Sequence, residues 1–409
     1  MKASKRVSAF AALLMLLAWA APVWAETDTD AAYNLPSLNI TMIKDEEGAT
    51  ALLRDIVDMA GGYIAPQPVW NQGSTARFPS MVLGIVTPEF SGTVSLGRKP
   101  DGNVPTPYDI YPLSSISKML TGLMVAQGVV NNDFAPDTPI RKLLKEDLGS
   151  LVGERTVGQV ISHFAGFARR PTNLHTKEYP YSPGKNYSRE ELIVCLQDAA
   201  CSQAPAPIGS TYIYSDTGLG LMGLALVDFY GKSYEQLLTE KIAQPLGMAD
   251  THLRSAVSDK SRFFTGIAPD GASVPPATMG ALAGAGEVVS TGHDMVILLK
   301  ALLNPPAPLK PVIKLAATPI TEGGRIGYAI DVVESRAGYG IDITPPGEAK
   351  ITMRSKAGEQ FGFSSLIMWS PELQSGAVAL VNAGMSSKPL AQLLIGIMRQ
   401  IRDHQASQK

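Results

Sequence analysis

The chain has few cysteines and few charged residues for its length. Its 409 residues include 2 cysteines, 7% aromatic residues and 18% charged residues. Two thiols cannot build a disulfide-dense scaffold or a four-thiolate metal site, and a net charge of -2 provides no basic excess for nucleic acid. The apolar fraction of 45% is ordinary for a globular protein and excludes disorder, coiled coil and collagen. The length allows a large buried core and two or three domains.

Long apolar runs are also scarce, and the one at the N-terminus predicts a signal peptide. Three cations within the first six residues precede the uncharged apolar run 9–21. Val23 and Ala25 then stand at positions -3 and -1 of a cleavage site after Ala25. The alternative is a membrane anchor, for which the run is short, since a span needs about 20 residues. We therefore expect export to a bacterial periplasm after removal of residues 1–25, with no membrane insertion afterwards.

In such a compartment the two cysteines would meet oxidising conditions. Cys195 lies in a predicted helix and Cys201 follows six residues later. A disulfide between them requires that the helix ends before Cys201. The sequence leaves open whether the two cysteines are disulfide-bonded or free thiols. Its role would be structural.

Predicted strands lie at both ends of the mature chain, with predicted helices between them. Two β-rich runs at 80–88 and 92–96 predict a hairpin, and strand patterns return at 327–333, 350–356, 362–369 and 376–382. Helices are predicted over 49–59, 115–129, 189–199, 219–230, 234–242, 294–303 and 389–402. The economical arrangement is α/β (α+β), with one antiparallel sheet built from both ends, flanked by helices, and a largely helical subdomain over about 113–320. The predicted divisions are the signal peptide 1–25, an N-terminal lead with one helix at 26–69, and one main domain at 70–405.

Ser115 and Lys118 are candidates for nucleophilic catalysis. A serine hydroxyl is a poor nucleophile without a base or cation beside it. On a helix, positions i and i+3 share a face, and the start of a helix carries its positive dipole end. The spacing alone is weak evidence, because it recurs at Ser182 and Lys185, where an intervening Pro-Gly excludes a helix. Ser115 on its own could also be an ordinary helix N-cap.

Two further segments could complete such a site. Tyr214 precedes an apolar helix and could act as a base only if nearby lysines lowered its pKa from about 10. The alternative is a packed tyrosine at a helix start. Lys356 lies in a predicted strand before Ala357 and Gly358, which would let a substrate backbone lie along the strand with N–H groups facing an oxyanion. A surface lysine before a turn is the alternative.

The sequence shows no convincing motif for a cofactor or a metal ion. Gly218, Gly220 and Gly223 match the dinucleotide fingerprint G-x-G-x-x-G, but no βαβ unit surrounds them and an exported protein would meet no nicotinamide cofactor. Those glycines are better explained by close helix packing. The five histidines show no ligand spacing with Cys, Asp or Glu, and His163 is predicted to be structural. We expect no metal and no cofactor.

Taken together in chain order, three motifs resemble the serine β-lactamase and penicillin-binding protein superfamily. They are Ser115-x-x-Lys118, Tyr214-Ser215-Asp216 and Lys356-Ala357-Gly358. Residues 113–118, 156–167, 244–251 and 283–295 are also similar to stretches of that family. The likeness covers about residues 70–403 and favours the class C β-lactamase branch, which includes AmpH-type D-alanyl-D-alanine carboxypeptidases/endopeptidases and related esterases. It implies a β-lactamase/transpeptidase-like fold and a serine hydrolase domain at 70–405.

The resemblance also implies roles for individual residues. Ser115 would form an acyl-enzyme, and Lys118 would accept or relay its proton. Tyr214 would be the partner base and activate water for deacylation. Lys356 would hold the phenolate and the substrate carboxylate. The implied substrate-binding residues are Asp216, Gly358 and Glu359, with the N–H groups of Ser115 and Glu359 forming the oxyanion hole.

Two departures from the family pattern bear on the substrate. Asp216 stands where this branch has asparagine, and a carboxylate cannot donate a hydrogen bond unless it is protonated. Ala357 stands where a threonine hydroxyl would touch a substrate carboxylate. Both departures argue against an efficient β-lactamase.

The sequence therefore predicts an exported DD-carboxypeptidase or endopeptidase that acts on cell-wall D-alanyl peptides, with β-lactams as acylating ligands and no nucleic-acid partner. A class C-like β-lactamase and a short-chain esterase remain alternatives of the same class. A penicillin-binding receptor that does not hydrolyse its ligand is an alternative of another class.

Overall fold

The computed structural model describes residues 36–43, 47–65, 68, 77–203, 207–320, 336–346, 351–384 and 387–409. The signal peptide predicted over 1–25 and the strand predicted over 327–333 lie outside these ranges. The longer described helices are α1 (Glu47–Gly61), α2 (Ile116–Val130), α5 (Arg189–Gln197), α7 (Asp216–Tyr230), α11 (Gly292–Leu303) and α13 (Lys388–Ser407). The shorter ones are α3 (Gly149–Gly153), α4 (Val157–Ile161), α6 (Ala199–Ser202), α8 (Tyr234–Leu238), α9 (Gln244–Leu246), α10 (Ala283–Gly286) and α12 (Lys310–Ala316).

The strands form one large sheet and two small ones. The large sheet contains β1 (Ser37–Met42), β2 (Ser80–Val86), β3 (Phe90–Gly97), β9 (Arg336–Ala337), β10 (Asp342–Thr344), β11 (Met353–Gln360), β12 (Phe363–Ser370) and β13 (Ser375–Val381). The small sheets contain β4 (Ile110–Pro112), β5 (His252–Leu253) and β8 (Val288–Thr291), and β6 (Gly266–Ile267) with β7 (Ser273–Val274).

The large sheet joins the two ends of the chain, as the sequence predicts. Its order is β1-β3-β2-β13-β12-β11-β10-β9, and every neighbouring pair is antiparallel. The joining pair is β2 with β13, where Gly84 lies opposite Val378. The α/β (α+β) fold class is thereby confirmed. The edge strand β1 is not predicted from the sequence, although Leu38, Ile40 and Met42 alternate with polar residues along it, and Ile40 is its one buried residue.

Alternate residues of the central strands face two different cores, because successive side chains of a strand point to opposite faces. Val82 and Val378 face the helical region, whereas Leu83 and Ala379 face the terminal helices. On that second face α1 and α13 cover the sheet. Each leucine or isoleucine that these two helices bury against the sheet stabilises the folded state by about 1.5–3 kcal/mol, compared with the same side chain in solvent.

The other face of the sheet supports the helical region, whose central element is α2. Twelve of its 15 residues are buried, so it is a core helix on all sides. Helix α7 packs near it, and a Cβ atom on Gly220 would lie 2.5 Å from Leu282 Cδ2. The packing explanation of that glycine pattern is therefore confirmed. The predicted helix 234–242 is α-helical only as far as Leu238 and continues as a π turn over Thr239–Ala243.

The cysteines form a disulfide bond. Helix α5 ends at Gln197 and α6 begins at Ala199, so the chain turns between Cys195 and Cys201 and their Cα atoms lie 5.5 Å apart. The backbone N–H of Ala168 donates to the carbonyl of Cys201 at 2.9 Å. The bonded turn therefore braces the loop that follows α4.

Within the described residues, no single helix has the length and apolar character of a membrane span. The bent pair Gly292–Leu303 and Ala307–Ala316 would satisfy both criteria only when taken together.

Candidate active site

Ser115 lies at the N-cap of α2, on a backbone held from both sides. The preceding Ser114 has a φ of 49°, in the left-handed region that serine rarely adopts. Leu113 N donates to Val288 O at 2.8 Å, and Val288 N donates to Ser117 Oγ at 3.1 Å. Strands β4 and β8 therefore fix the turn into the helix. The Ser115 side chain is only partly buried, so it remains accessible to a substrate.

Lys118 is fully buried one turn further along α2, and its ammonium group has three acceptors. Its Nζ donates to Ser115 Oγ at 2.9 Å and to the carbonyl of Ala285 at 2.6 Å. The third acceptor is Asp216 Oδ1 at 2.7 Å. An ammonium has three N–H donors, so this geometry satisfies it completely. Lys118 is therefore charged in the resting site and in direct contact with the candidate nucleophile.

The charges of Lys118 and Asp216 depend on each other. Burial lowers the pKa of Lys118, and the Asp216 carboxylate opposes that shift without cancelling it. Burial alone would raise the pKa of Asp216, but Lys118, Arg170 and Arg169 together hold it below its usual range. Asp216 is thus ionised and restrains Lys118 from losing its proton.

Tyr214 lies beside both lysines but is a phenol in the resting site. Lys118 Nζ is 4.9 Å and Lys356 Nζ is 5.2 Å from the centre of its ring. Burial raises the pKa of Tyr214 well above its ordinary value, although Lys356 and a hydrogen bond with Ser115 both favour phenolate. The condition that the sequence set for Tyr214 as a base, a pKa lowered by nearby lysines, is not met in the resting site, because desolvation of the phenolate outweighs the attraction of Lys356.

His163 positions the segment that carries Tyr214. Its carbonyl accepts a hydrogen bond from Ile213 N at 2.8 Å, and its Nδ1 accepts one from Ser215 N at 3.1 Å. The two rings also pack, with 4.6 Å between their centres. Burial lowers the pKa of His163 well below 6.5, with help from Lys356 and Lys118, so the ring is neutral and Nδ1 is free to accept. The structural role predicted for this histidine agrees with these contacts.

We expect His163→Leu to lower the free energy of unfolding by about 2 kcal/mol, because a buried Ser215 N–H loses its acceptor. His163→Asn should lose less, since an amide oxygen can replace Nδ1 and asparagine tolerates the positive φ of 68° at this position. Urea denaturation of both variants measures the difference. Equal losses in the two would show that Nδ1 contributes nothing.

Lys356 reaches the site from strand β11 of the sheet. Its Nζ lies 3.4 Å from Asp342 Oδ1, and its side chain is 2% exposed. Gly358, two residues on, has the backbone of the nucleophile segment against it, and a Cβ there would lie 2.2 Å from Leu113 O. The glycine is therefore required by the chain's own packing, and not only by room for a substrate. The neighbouring Glu359 side chain accepts a hydrogen bond from Ser387 N at 2.5 Å, and its backbone lies in the same strand.

The second serine-lysine pair has a different environment. Ser182 Oγ donates to Thr278 O at 3.2 Å and accepts from Thr278 N at 3.1 Å. Lys185 Nζ lies 4.4 Å from the ring centre of Tyr179. These contacts are structural, so Ser182 and Lys185 serve as matched controls for Ser115 and Lys118.

The structure thus brings Ser115, Lys118, Tyr214, Asp216 and Lys356 into one cluster between the helical region and the sheet. Sequence reasoning did not single out Ala285, Asp342 or the Arg169–Arg170 pair. The arginines directly follow the family-like stretch 156–167, which is the one signal that pointed to their neighbourhood. Among the described residues, no group of three or more His, Cys, Asp or Glu could hold a metal ion.

Comparison with known proteins identifies the superfamily. A family model described as Beta-lactamase matches residues 88–395. Among curated proteins, the unguisins hydrolase ungD of Aspergillus violaceofuscus is 25% identical over 260 residues, which are 56% of this chain and 43% of that protein. The D-alanyl-D-alanine-carboxypeptidase/endopeptidase AmpH of Escherichia coli K12 is 28% identical over 260 residues, which are 61% of this chain and 62% of AmpH. The chain therefore spans less than two thirds of the length of these two relatives.

A solved structure shares the fold. The crystal structure of a beta-lactamase/D-alanine carboxypeptidase from Yersinia pestis, complexed with citrate, superposes with a TM-score of 0.68 at 20% identity. The superposition covers 80% of this chain and 93% of that one.

Proposed function

Because the chain belongs to the beta-lactamase family, a family of serine hydrolases, we propose that it cleaves D-alanyl-D-alanine peptides of the cell wall through an acyl-enzyme on Ser115. The observation that supports this most is the 2.9 Å contact between Lys118 Nζ and Ser115 Oγ, with Tyr214 and Lys356 beside it. The similarity to AmpH favours a peptide substrate. Asp216 and Ala357, in place of the usual Asn and Thr, argue against efficient β-lactam hydrolysis.

Acylation begins when Lys118 has lost a proton. Neutral Lys118 takes the hydroxyl proton of Ser115, and Oγ bonds to the carbonyl carbon of the scissile peptide. The N–H groups of Ser115 and Glu359 stabilise the resulting oxyanion. Tyr214, a phenol in the resting site, then protonates the departing D-alanine nitrogen as the C–N bond breaks. Lys356 holds the terminal carboxylate of the substrate.

Deacylation reverses these proton movements. The Tyr214 phenolate takes a proton from water, and the hydroxide attacks the ester carbonyl. As the C–Oγ bond breaks, Ser115 recovers its proton from the Lys118 ammonium. Burial keeps Tyr214 protonated until acylation, and the phenolate left by that step is a strong base for deacylation.

The test compares three probes with the purified protein. We expect D-alanine release from an N-acyl-D-Ala-D-Ala peptide, slow turnover of nitrocefin after a stoichiometric burst, and weak hydrolysis of p-nitrophenyl acetate. Fast steady-state nitrocefin hydrolysis without D-alanine release would make the protein a β-lactamase. Ester hydrolysis alone would make it an esterase, and a burst with no turnover of any probe would make it a receptor.

We also propose that the protein is exported to a periplasm. The support is the N-terminal pattern over 1–25 and the disulfide bond, which is typical of oxidising compartments. N-terminal sequencing of the protein from a periplasmic fraction should start at Glu26. Recovery only in the cytoplasm with Met1 retained would contradict export.

Asp216→Asn should raise nitrocefin kcat/KM by about five- to tenfold. Asparagine can donate an N–H to the acyl amide of the β-lactam, a hydrogen bond worth about 1 kcal/mol that lowers the barrier if it forms in the transition state. The substitution also removes the carboxylate that opposes deprotonation of Lys118, so the pKa of Lys118 should fall further. Acylation needs neutral Lys118, and its rise with pH should therefore shift to lower pH.

The measurement is a pH profile of nitrocefin kcat/KM for both proteins. An unchanged or lower rate in Asp216→Asn would mean that the carboxylate is itself part of the working site. A profile displaced to higher pH would contradict the proposed restraint on Lys118.

A further inference from the structure

Among the described side chains of the candidate active site, cations outnumber anions. Lys118, Lys356, Arg169 and Arg170 lie around Tyr214 and Asp216, and Asp342 is the second carboxylate that contacts a cation of this cluster. Arg169 Cζ is 5.3 Å from the centre of the Tyr214 ring. Lys118 and Lys356 each have a carboxylate within 3.4 Å. Arg170 shares its carboxylate, Asp216, with Lys118.

Arg170 is a solvent-accessible cation. Its Nε lies 3.6 Å from Asp216 Oδ2, longer than an ordinary hydrogen bond, and its side chain is 59% exposed. Asp216 already gives its other oxygen to Lys118 at 2.7 Å. The planar guanidinium of Arg170 thus has N–H groups available for a second carboxylate, a geometry that arginine binds in a bidentate manner.

The backbone beneath the pair is fixed. Ser215 Oγ donates to the carbonyl of Ala168 at 2.6 Å, and Asp216 N donates to the carbonyl of Arg169 at 2.7 Å. On its other side, Ala168 N donates to the disulfide-bonded Cys201. The two arginines are therefore carried by a segment that is tied both to the candidate catalytic segment and to the braced turn. Such preorganisation lowers the entropic cost of binding.

The two groups of cations belong to different parts of the fold. Lys356 and Asp342 belong to strands of the sheet, whereas Arg170, Asp216 and Lys118 form a continuous series of contacts on the helical side. The proposed function places the terminal carboxylate of the substrate at Lys356. The departing D-alanine has only that one carboxylate, so a carboxylate held by Arg170 belongs to the acyl part of the substrate, on the other side of the scissile bond.

We propose that Arg170, with Arg169 beside it, binds a carboxylate on the acyl part of the substrate, so that the enzyme prefers peptides with a free acidic group preceding the D-alanyl-D-alanine end. This proposal rests on the proposed function for the identity of the peptide. The preference for an acidic group is independent of the proposed function, because any probe that acylates the serine would show it.

The first experiment uses two peptides, N-acetyl-Glu-D-Ala-D-Ala and N-acetyl-Gln-D-Ala-D-Ala, which differ by one charge. We expect the wild-type protein to release D-alanine from the glutamyl peptide with a kcat/KM about tenfold higher. In Arg170→Gln the ratio should fall to about one to two, and Arg170→Lys should retain part of it. Added salt should reduce the wild-type ratio, because an exposed ion pair is screened.

The control is Arg141→Gln. Arg141 is also exposed and pairs with one acid, Glu154, at 2.6 Å. The substitution removes the same charge, but Arg141 lies in the turn after α2. The glutamyl preference should therefore persist. A ratio that falls equally in Arg141→Gln would assign the preference to net charge and overturn the site.

A second pair of probes separates this proposal from the proposed function. Mono-p-nitrophenyl glutarate and p-nitrophenyl butyrate acylate serine with and without a carboxylate, and the burst of nitrophenolate gives the acylation rate. If the glutarate ester acylates the protein faster than the butyrate ester but neither peptide is cleaved, the peptidase function fails and the carboxylate site stands. If both peptides are cleaved equally, the function stands and the site fails. No reaction with any probe overturns both.

Discussion

Ser115→Ala should abolish covalent labelling by a fluorescent penicillin, with a loss of roughly 10⁴-fold or more in acylation. The variant removes the hydroxyl that accepts a hydrogen bond from Lys118 Nζ at 2.9 Å. Alanine fits the N-cap of α2 without strain, since Ser115 has helical dihedrals and makes no side-chain cap. The protein should therefore stay folded while the covalent reaction disappears.

The matched control is Ser182→Ala, which removes the serine of the second pair and its two hydrogen bonds to Thr278. It should lose a little stability and keep its labelling. Gel fluorescence and intact-mass spectrometry of both variants decide the matter. Labelling that persists in Ser115→Ala and vanishes in Ser182→Ala would refute the assignment of the nucleophile.

The architecture follows from patterns that the sequence shows openly. Helix α13 has a long amphipathic repeat, and strands β2, β12 and β13 are short apolar runs between turn residues. Such local signals predict the elements well. Strand β1, at the edge of the sheet, carries a short signal of the same kind that the sequence prediction missed, since Leu38, Ile40 and Met42 alternate with polar residues. Its pairing with β3 decides its conformation.

The sequence predicts those residues of the site that belong to recognisable motifs. Ser115, Lys118, Tyr214 and Lys356 are found together because each belongs to a recognisable segment. The balance of charges was not predictable, because it depends on distances between segments that are remote in sequence. Asp342 meets Lys356 only through the pairing of β10 with β11. The raised pKa of Tyr214 is a result of burial, which no local pattern encodes.

The same limit applies to Gly358. The sequence predicts a small residue beside a substrate, whereas the structure shows Leu113 O at 2.2 Å from where its Cβ would lie. Ser365 Oγ also donates to Leu113 O, at 3.0 Å. Strand β11 is therefore pressed against the turn before Ser115, so the sheet and the nucleophile helix are positioned by direct contact. A motif that looks like substrate recognition is partly a packing requirement.

Lys118→Ala should lose acylation nearly as completely as Ser115→Ala. In the proposed mechanism Lys118, which contacts Ser115 Oγ, accepts its proton once neutral, whereas burial keeps the phenol of Tyr214 protonated. General-base catalysis contributes roughly 10²- to 10⁴-fold, and residues that act as a unit lose most of their effect together. The double variant should therefore be little worse than either single one.

Folding has to be separated from chemistry in this test, because Lys118 is fully buried and its removal leaves a cavity and one fewer partner for Asp216. Lys118→Met fills most of that volume without a basic nitrogen, so it should recover stability in urea denaturation but not the acylation rate. Lys185→Ala, at the lysine of the second pair, should change neither. The labelling rate by fluorescent penicillin is measured for all of them at one pH. If Lys118→Met kept most of the wild-type rate, another group would have to accept the proton of Ser115. Tyr214, the other base candidate in contact with that hydroxyl, would then be the acceptor, with a lower pKa in the substrate complex than burial gives it in the resting site.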